Sequence, residues 1–490
     1  MTSPTDTDTA ADSAVLEQLA TAVGAANVIT DDADKALFLH ELRDLYHGKT
    51  RAVIRPGSTD EVAAVMRIAS ENNLTIVPQG GNTGLVGGQT PFESGHEYVL
   101  SLTRMNRIRA LDTDGNTITV EAGAVLETVQ NAARDAGRLF PLSLGSEGSC
   151  TIGGNLATNA GGTAVLAYGN MRELTLGLEV VLSDGSVWEG LRALRKDNTG
   201  YDLKHLFIGG EGTLGVITAA TFKLFAQPRQ VVTGWVALRD AGAAVRLLSR
   251  MTEAVGERVT AFELIGREAL AQVLTHPGPG MRDPLPGNGA SWMALFDVSE
   301  TAGSIDLSAP VEQVLADAAE AGDIDDAVLA TSQAQAHALW ALREHIPEAQ
   351  KLDGPSVKHD ISVAVSRIPA FIETANAQLE RLLPGIRICC FGHVGDGNLH
   401  YNQSKPRDMA DADFLALEPA IHEVVYDVTT RLRGSISAEH GIGRLKQEAF
   451  LRTKPALALE LMQRIKSALD PQALLNPGRM LPAQADARSR

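Results

Sequence analysis

Three glycine-rich runs fall within one 140-residue stretch, and they constrain the fold more than any other feature of the chain. The first, PQGGNTGLVGG at 78–88, has five glycines in eleven residues. With no Cβ in the way, its backbone N–H groups can close around a phosphate. It lacks the Gly-Lys-Ser/Thr ending of a nucleoside-triphosphate loop. The second, GSEGSCTIGGNLATNAGGTAVLAYG at 145–169, is dense in Ser, Thr and Asn, which suits a wall around a large, flat, hydrogen-bonding ligand. The third, IGGEGTLGVIT at 208–218, holds a G-x-G-x-x-G from Gly210 to Gly215. The segment VITAATFKL directly after it reads as a strand, so a pyrophosphate would find no helix N-terminus there. Any one run would be ordinary turns. The three together call for a bound dinucleotide.

The surrounding pattern places the first run at a strand end, where ligands are commonly held. AVIRP at 52–56 reads as a short strand, and Ser58-Thr-Asp-Glu61 as a capping box. The box opens a helix with Val62, Val65, Met66 and Ala69 on one face. A strand at 74–77 then enters the glycines. Residues 98–123 and 175–190 read as hairpins turning at Asp114-Gly115 and Asp184-Gly185. Residues 16–45 look helical after a disordered start. THPGPGMRDPLPGNGA at 275–290 is a surface loop by composition, an ordinary connection or a lid. Helices are expected near 411–433 and 446–468, followed by LLNPGRM and a polar tail. No internal repeat is visible.

At 490 residues the chain exceeds one ordinary core, so two or three domains are expected. A net charge of -17 argues against nucleic acid and against anionic membrane surfaces, both of which call for basic patches. No stretch approaches the roughly 20 apolar residues of a membrane span. The polar, acidic opening MTSPTDTDTAADS lacks the apolar core of a secretory signal and the arginines of a transit peptide, which reads as a cytoplasmic protein. Cys150, Cys389 and Cys390 are too few for a disulfide framework, and the adjacent pair reads as buried strand.

The second half holds FGHVGDGNLHYN at 391–402. If Asp396-Gly397 forms a two-residue type I′ turn, His393 and His400 oppose each other with Cβ atoms roughly 5 Å apart. Two imidazoles at that spacing can chelate one divalent ion. Glu439 in SAEHGIG can supply a third ligand, since a catalytic zinc typically takes three and keeps one position open. His440 is then the free neighbour, available as a general base. Ordinary loop histidines are the alternative.

With these motifs in order, the chain resembles the vanillyl-alcohol-oxidase type of FAD-binding oxidoreductases. The likeness is to the D-2-hydroxyacid dehydrogenase branch that includes D-2-hydroxyglutarate and flavin-dependent D-lactate dehydrogenases. It runs over 51–479 and also rests on RKDNTGYDLKHLFIGGEGTLGVIT and LNPGRM. The resemblance implies an α+β protein with a two-subdomain FAD-binding domain, an α+β substrate domain with an antiparallel sheet, and a C-terminal helical segment. The expected spans are an N-terminal segment at 1–45, the FAD domain at 46–226, the substrate domain at 227–435, and 436–490 packing back on the FAD domain. Pro78, Gln79, Gly80, Gly81, Asn82, Thr83, Gly84, Leu85, Gly87 and Gly88 would hold the FAD pyrophosphate. Leu144, Gly145, Ser146, Gly148, Ser149, Ile152, Gly154, Asn155, Ala157, Thr158, Asn159, Gly161 and Gly162 would line the rest of the flavin, with Glu211, Gly212, Gly215, Val216, Ile217 and Asn476. Covalent relatives carry a histidine where this chain has Asn82, so the flavin is expected to be non-covalent.

By the same resemblance, His393, His400 and Glu439 bind zinc or another divalent metal, and His440 is the base. Arg343, Lys358, Asn402 and His440 contact substrate. One position departs: the hydroxyglutarate enzymes carry a substrate-contacting threonine where this chain has Pro347. The implied activity is oxidation of a D-2-hydroxy acid to its 2-keto acid, with hydride passing to flavin N5. Two cations favour the diacid D-2-hydroxyglutarate, with D-lactate or D-malate as alternatives. A non-catalytic FAD subunit of a glycolate-oxidase-like complex and a metal-free flavin oxidase acting on phenols or sugars are the rival classes. Expected partners are the 2-hydroxy acid and an external electron acceptor such as an electron-transfer flavoprotein or a quinone. No nucleic acid or membrane span is expected, and a homodimer is compatible.

Overall fold

The computed structural model describes residues 4–483. Of the expected disordered start, which precedes residue 16, only 1–3 lie outside the described residues, as do 484–490 of the polar tail; from Pro4 the start is helical instead. The chain divides into two compact units. The first comprises the segment up to Ala160, Asn170–Ala226 and the segment from Glu439 onward, and the second comprises Gly161–Gly169 and Gln227–Ala438.

In the first unit the helix Thr59–Asn72 begins at the cap that the sequence offers: Ser58 Oγ accepts from the Glu61 N–H at 3.2 Å. Glu61 reaches one residue further back than a capping box requires, its Oε2 accepting from Gly57 N–H at 2.7 Å. The helix stops where Asn73 turns left-handed, φ 54°. Strands Val53–Ile54 and Ile76–Gln79 both run parallel to Tyr98–Ser101, which lies between them, and Val28–Ile29 completes this four-stranded sheet. A five-stranded antiparallel sheet is built from two hairpins joined through the strand Val216–Lys223.

Two expectations are corrected here. The 98–123 hairpin shrinks to Ile108–Asp112 with Thr117–Glu121, because Tyr98–Ser101 pairs in the other sheet. Its turn uses four residues, with Asp112 Oδ1 accepting from the Asp114 and Gly115 amides. Residues 16–45 are not one helical stretch. The helix Pro4–Val23 ends at Gly24, φ 84°, and the β-branched Val28–Ile29 enters a sheet edge.

The second unit is organised by an eight-stranded sheet. From one edge the strands run Ile324–Leu329, Gln230–Leu238, Trp292–Glu300, Val259–Gly266, Arg387–His393, Asn398–Ser404 and Ser356–Val357, with Asp360–Ser362 also paired to Asn398–Ser404. Helices Ala241–Val255, Ser308–Glu320, Ile368–Leu382 and Glu418–Arg431 cover one face, packing on Val236, Phe262, Leu264, Phe296 and Tyr401. Helices Arg267–Thr275, Gln333–Glu344 and Ile346–Asp353 cover the other, over Trp235, Ile265, Leu295, Cys389 and Phe391. Burial on both sides explains why Val259–Gly266 reads as a nearly unbroken apolar run.

The 275–290 loop is anchored rather than loose. Leu285 and Ala290 join the second core cluster, and Arg267 donates to the Ala290 and Asn288 carbonyls. Each expected late helix is broken in two near a proline: Asp411–Leu415 and Glu418–Arg431 at Pro419, Gln447–Thr453 and Ala456–Leu469 at Pro455. Residues 161–169, expected within the 46–226 span, group with the second unit. Their helix Val165–Tyr168 packs on the Val259–Gly266 strand, and Leu166 sits where a Cβ on Gly395 would lie, 2.8 Å away.

Candidate active site

The glycine runs of the first unit meet one another. The strand Ile76–Gln79 delivers the chain into the first run, whose back is pinned by side chains. Gln79 Nε2 donates to the Phe38 and Gln89 carbonyls, both at 3.0 Å, and Asn82, at φ 55°, donates to the His40 carbonyl at 2.8 Å. The second run closes on its front: a Cβ on Gly80 would lie 2.2 Å from Thr151 Oγ1, and one on Gly81 2.1 Å from the Ser149 carbonyl. Only glycine fits at either position.

The third run closes the remaining side. The Glu211 N–H donates to the Ala157 carbonyl at 2.8 Å, and Gly212 packs on Pro78. The C-terminal LNPGRM segment ties first to third, with Asn476 Nδ2 donating to the Gly88 and Glu211 carbonyls at 3.0 and 2.9 Å. Burial pushes the Glu211 carboxyl up, against the pull of the Ile442 and Gly443 amides that donate to it.

Gln79, Glu211 and Asn476 are thus committed, wholly or in part, to holding loops. Ile152, Asn155, Val216 and Ile217 are buried in the walls. Asn159 Oδ1 accepts from the Arg172 amide at 2.9 Å, and a Cβ on Gly215 would meet Val180 at 2.6 Å. Gly145 has open space around it. Gly161 and Gly162 belong to the second unit. The buried Thr151 Oγ1, beside Gly80, has no hydrogen-bond partner among the described residues, and neither do Asn82 Oδ1 and Asn476 Oδ1. A bare backbone cradle with unpaired polar atoms at its edge fits a phosphate-bearing cofactor such as FAD.

Two histidines of the second unit, His393 and His400, sit on one sheet face. The strands Arg387–His393 and Asn398–Ser404 pair with Phe391 opposite His400, so the connection spans four residues, 394–397, with Gly397 at φ 83°. The two-residue turn expected at Asp396-Gly397 is therefore corrected: His393 and His400 are diagonal neighbours, not opposed. Because the register differs by two, both still face the same side. Their ring centroids are 6.2 Å apart. The third member, Glu439, comes from a non-strand segment pinned to the strand Asp360–Ser362. Asp360 pairs with His400, Ser362 bridges Ser435, and the Ala438 N–H donates to the Asp360 carbonyl at 3.2 Å, which sets the position of the adjacent Glu439. His393, His400 and Glu439 each offer a ligand atom, all within 4.8 Å of one another. Two imidazoles and a carboxylate so grouped are a fitting donor set for a divalent ion. His440 is half-buried and is not part of this triplet.

A residue missed in the sequence, Glu263, stands directly across from His393 in the adjacent strand. It is fully buried; its Oε1 contacts His393 Nδ1 and its Oε2 accepts from Arg343 Nε at 2.5 Å. Burial disfavours its ionisation, but Arg343 and His393 outweigh that cost and hold the carboxyl well below the usual carboxylate range. The available signal was one acidic residue inside the apolar run VTAFELIG.

Arg343, in the helix Gln333–Glu344, also stacks on Phe391 with Cζ 4.6 Å from the ring centroid. Asn402 is buried and engaged within the fold: Oδ1 accepts from the His359 N–H at 3.0 Å and Nδ2 donates to Gln350 Oε1 at 2.9 Å. By holding His359 it fixes the backbone beside Lys358, which is half-buried between two short strands. Pro347 occupies the first turn of the helix Ile346–Asp353, where a missing N–H costs nothing. Cys389 and Cys390 are adjacent and buried, and burial pushes the Cys389 thiol up to about 12. No helix among the described residues is long and apolar enough to cross a membrane.

Comparisons agree with this architecture. Residues 50–190 match an FAD binding domain, and 227–480 match the C-terminal domain of FAD linked oxidases. A mitochondrial D-2-hydroxyglutarate dehydrogenase of Bos taurus is 40% identical over 89% of this chain and 78% of its own length. A D-2-hydroxyglutarate dehydrogenase of Xanthomonas citri pv. viticola is 39% identical over 94% and 95%. Among solved structures, p-cresol methylhydroxylase with substrate bound superposes with TM-score 0.75 over 97% of this chain and 98% of its own, at 16% identity, which shows the shared fold. The cytoplasmic expectation is overturned by the Bos taurus relative, which is named as mitochondrial; the composition of the opening residues does not decide the compartment. The chain belongs to the FAD-linked oxidoreductases of the vanillyl-alcohol-oxidase type, in the branch whose relatives are named D-2-hydroxyglutarate dehydrogenase.

Proposed function

We propose that the protein oxidises a D-2-hydroxy acid, D-2-hydroxyglutarate for preference, to the 2-keto acid. The observation that carries this reading is the grouping of His393, His400 and Glu439 within 4.8 Å, with Arg343 stacked on Phe391, the strand partner of His400. When bound, FAD supplies a hydride acceptor at N5, and a divalent ion at the three ligands supplies positive charge that lowers the pKa of a ligated hydroxyl.

The chain's own residues then have separable tasks. His440 takes the proton of the substrate hydroxyl, a contribution of about 10² to 10⁴-fold for a positioned base. Arg343 has Nε committed to Glu263, which leaves its Nη edge for a carboxylate. Lys358 provides a second positive charge, and two cations suit an acid with two carboxylates. Asn402 keeps the Lys358 segment in place through the His359 amide. Pro347 offers no side-chain donor, so the second carboxylate depends on Lys358. With FAD bound, the electrons taken from the substrate would go on to an external acceptor such as an electron-transfer flavoprotein or a quinone.

The test is anaerobic bleaching of the holoenzyme flavin by a panel of 2-hydroxy acids. The D-diacids should bleach it fastest, D-lactate more slowly, and the L-enantiomers negligibly. Equal rates with both enantiomers, or bleaching by phenols instead, would refute the reading.

A further inference from the structure

Glu263 joins two groups that the reaction would use separately. The strand pairing places it opposite His393, and it is the one charged residue of the strand Val259–Gly266. Both of its neighbours along the same face are apolar, Ala261 and Ile265, and Glu263 itself is fully buried. A fully buried carboxylate survives only with partners, and its two oxygens have one each: His393 Nδ1 at Oε1 and Arg343 Nε at Oε2. With Nδ1 turned to the carboxylate, the other ring nitrogen, Nε2, is the one left for a metal. The tautomer and the ring rotation of a metal-binding histidine are set by such a partner. On the other side, one N–H of Arg343 is consumed and the guanidinium is clamped between Glu263 and the Phe391 ring.

We propose that Glu263 is a positioning residue shared by two subsites: it fixes His393 in metal-binding orientation and anchors Arg343 for the substrate carboxylate. This rests on the reading of His393 as a metal ligand given above. Glu263 is not one of the three grouped ligands. Its removal should therefore weaken metal binding without disturbing the flavin.

The test measures the affinity of the FAD-loaded protein for Zn²⁺ by chelator competition, with flavin content and melting temperature recorded in parallel. Glu263→Gln should weaken Zn²⁺ about 10- to 100-fold, the range typical of lost partners to metal-binding histidines, at unchanged flavin content. The double variant E263M/R343M removes the buried pair together, which commonly preserves a fold, and should show the same loss of Zn²⁺ affinity. Wild-type affinity in either folded variant overturns the inference while leaving the proposed function standing. If wild type binds no divalent ion, both fall. If Zn²⁺ affinity drops as expected but no 2-hydroxy acid bleaches the wild-type flavin, the proposed function falls, and with it the substrate half of the role of Glu263, while the metal-positioning half stands.

Discussion

The flavin-binding unit and the sheet-bearing unit commit different parts of the chain to function. In the first, the cradle is made of backbone, and side chains are excluded: at Gly80 and Gly81 a single methyl would collide with Thr151 and Ser149. In the second, the backbone is a two-sided sheet, and the proposed function rests on a few placed side chains: His393, His400 and Glu263 at fixed strand registers, and Arg343 from a covering helix. The contrast comes from the ligands. A long diphosphate-bearing cofactor calls for many amides along its length, whereas polarising one bond needs a few charges held to within a fraction of an ångström. Damage to the first region should therefore cost the cofactor, and damage to the second should cost chemistry with the cofactor in place.

The largest separation is expected from His400→Ala. Loss of a metal ligand forfeits several kcal/mol of charge stabilisation, on the order of 10³-fold in turnover or more, while the flavin spectrum stays that of the wild type. Loss of FAD in this variant would break the comparison. The mirror experiment is Gly80→Val. Overpacking of about 3 kcal/mol corresponds to roughly 10²-fold weaker FAD binding, with Zn²⁺ affinity unchanged by chelator titration.

The fold was legible in the sequence where the backbone dictates the residue. Glycines at close approaches admit no other residue, the cap at Ser58 admits only a few, and the strand after Gly215 follows from its apolar, β-branched run, and so the family motifs are specific. The shared face of His393 and His400 was legible for a similar reason, since side-chain parity survives an even register change. Their exact pairing was not, because Asp-Gly suits both a two-residue turn and the end of a four-residue connection. Glu263 was invisible for a third reason. An acidic residue in a strand usually marks a solvated face, and it becomes a buried charge only once helices cover both sides of the sheet. Residues 161–169 were misgrouped because their glycines continue the second run while Leu166 packs elsewhere.

A smaller effect concerns how each unit stabilises its buried carboxylates. In the first unit Glu121 is inaccessible; burial raises its pKa, but hydrogen bonds from Arg107 and Arg109 prevail and hold the carboxyl below its usual value. A depressed folded-state pKa means that this stability is present above the unfolded pKa and is lost as the pH falls through the folded one. The melting temperature should thus decline as the pH drops below about 4. Glu121→Gln should flatten that decline and cost about 1 kcal/mol at pH 7, since Arg107 is largely exposed. A steeper decline in the variant would contradict this. The smallest effect is expected at the thiols. Cys150, Cys389 and Cys390 are all buried with raised pKa values, so the native protein should resist a thiol reagent that labels the unfolded chain fully. Rapid native labelling would show that the sheet opens more readily than its packing indicates.

The central claim is that one divalent cation, held by His393, His400 and Glu439, is required for substrate oxidation and dispensable for FAD. Metal content and flavin bleaching by a D-2-hydroxy acid, measured on the same sample before and after chelation, test it directly. The account predicts about one equivalent of divalent metal, bleaching that stops on its removal with FAD retained, and recovery when Zn²⁺ is restored. Undiminished bleaching by metal-free protein would contradict it.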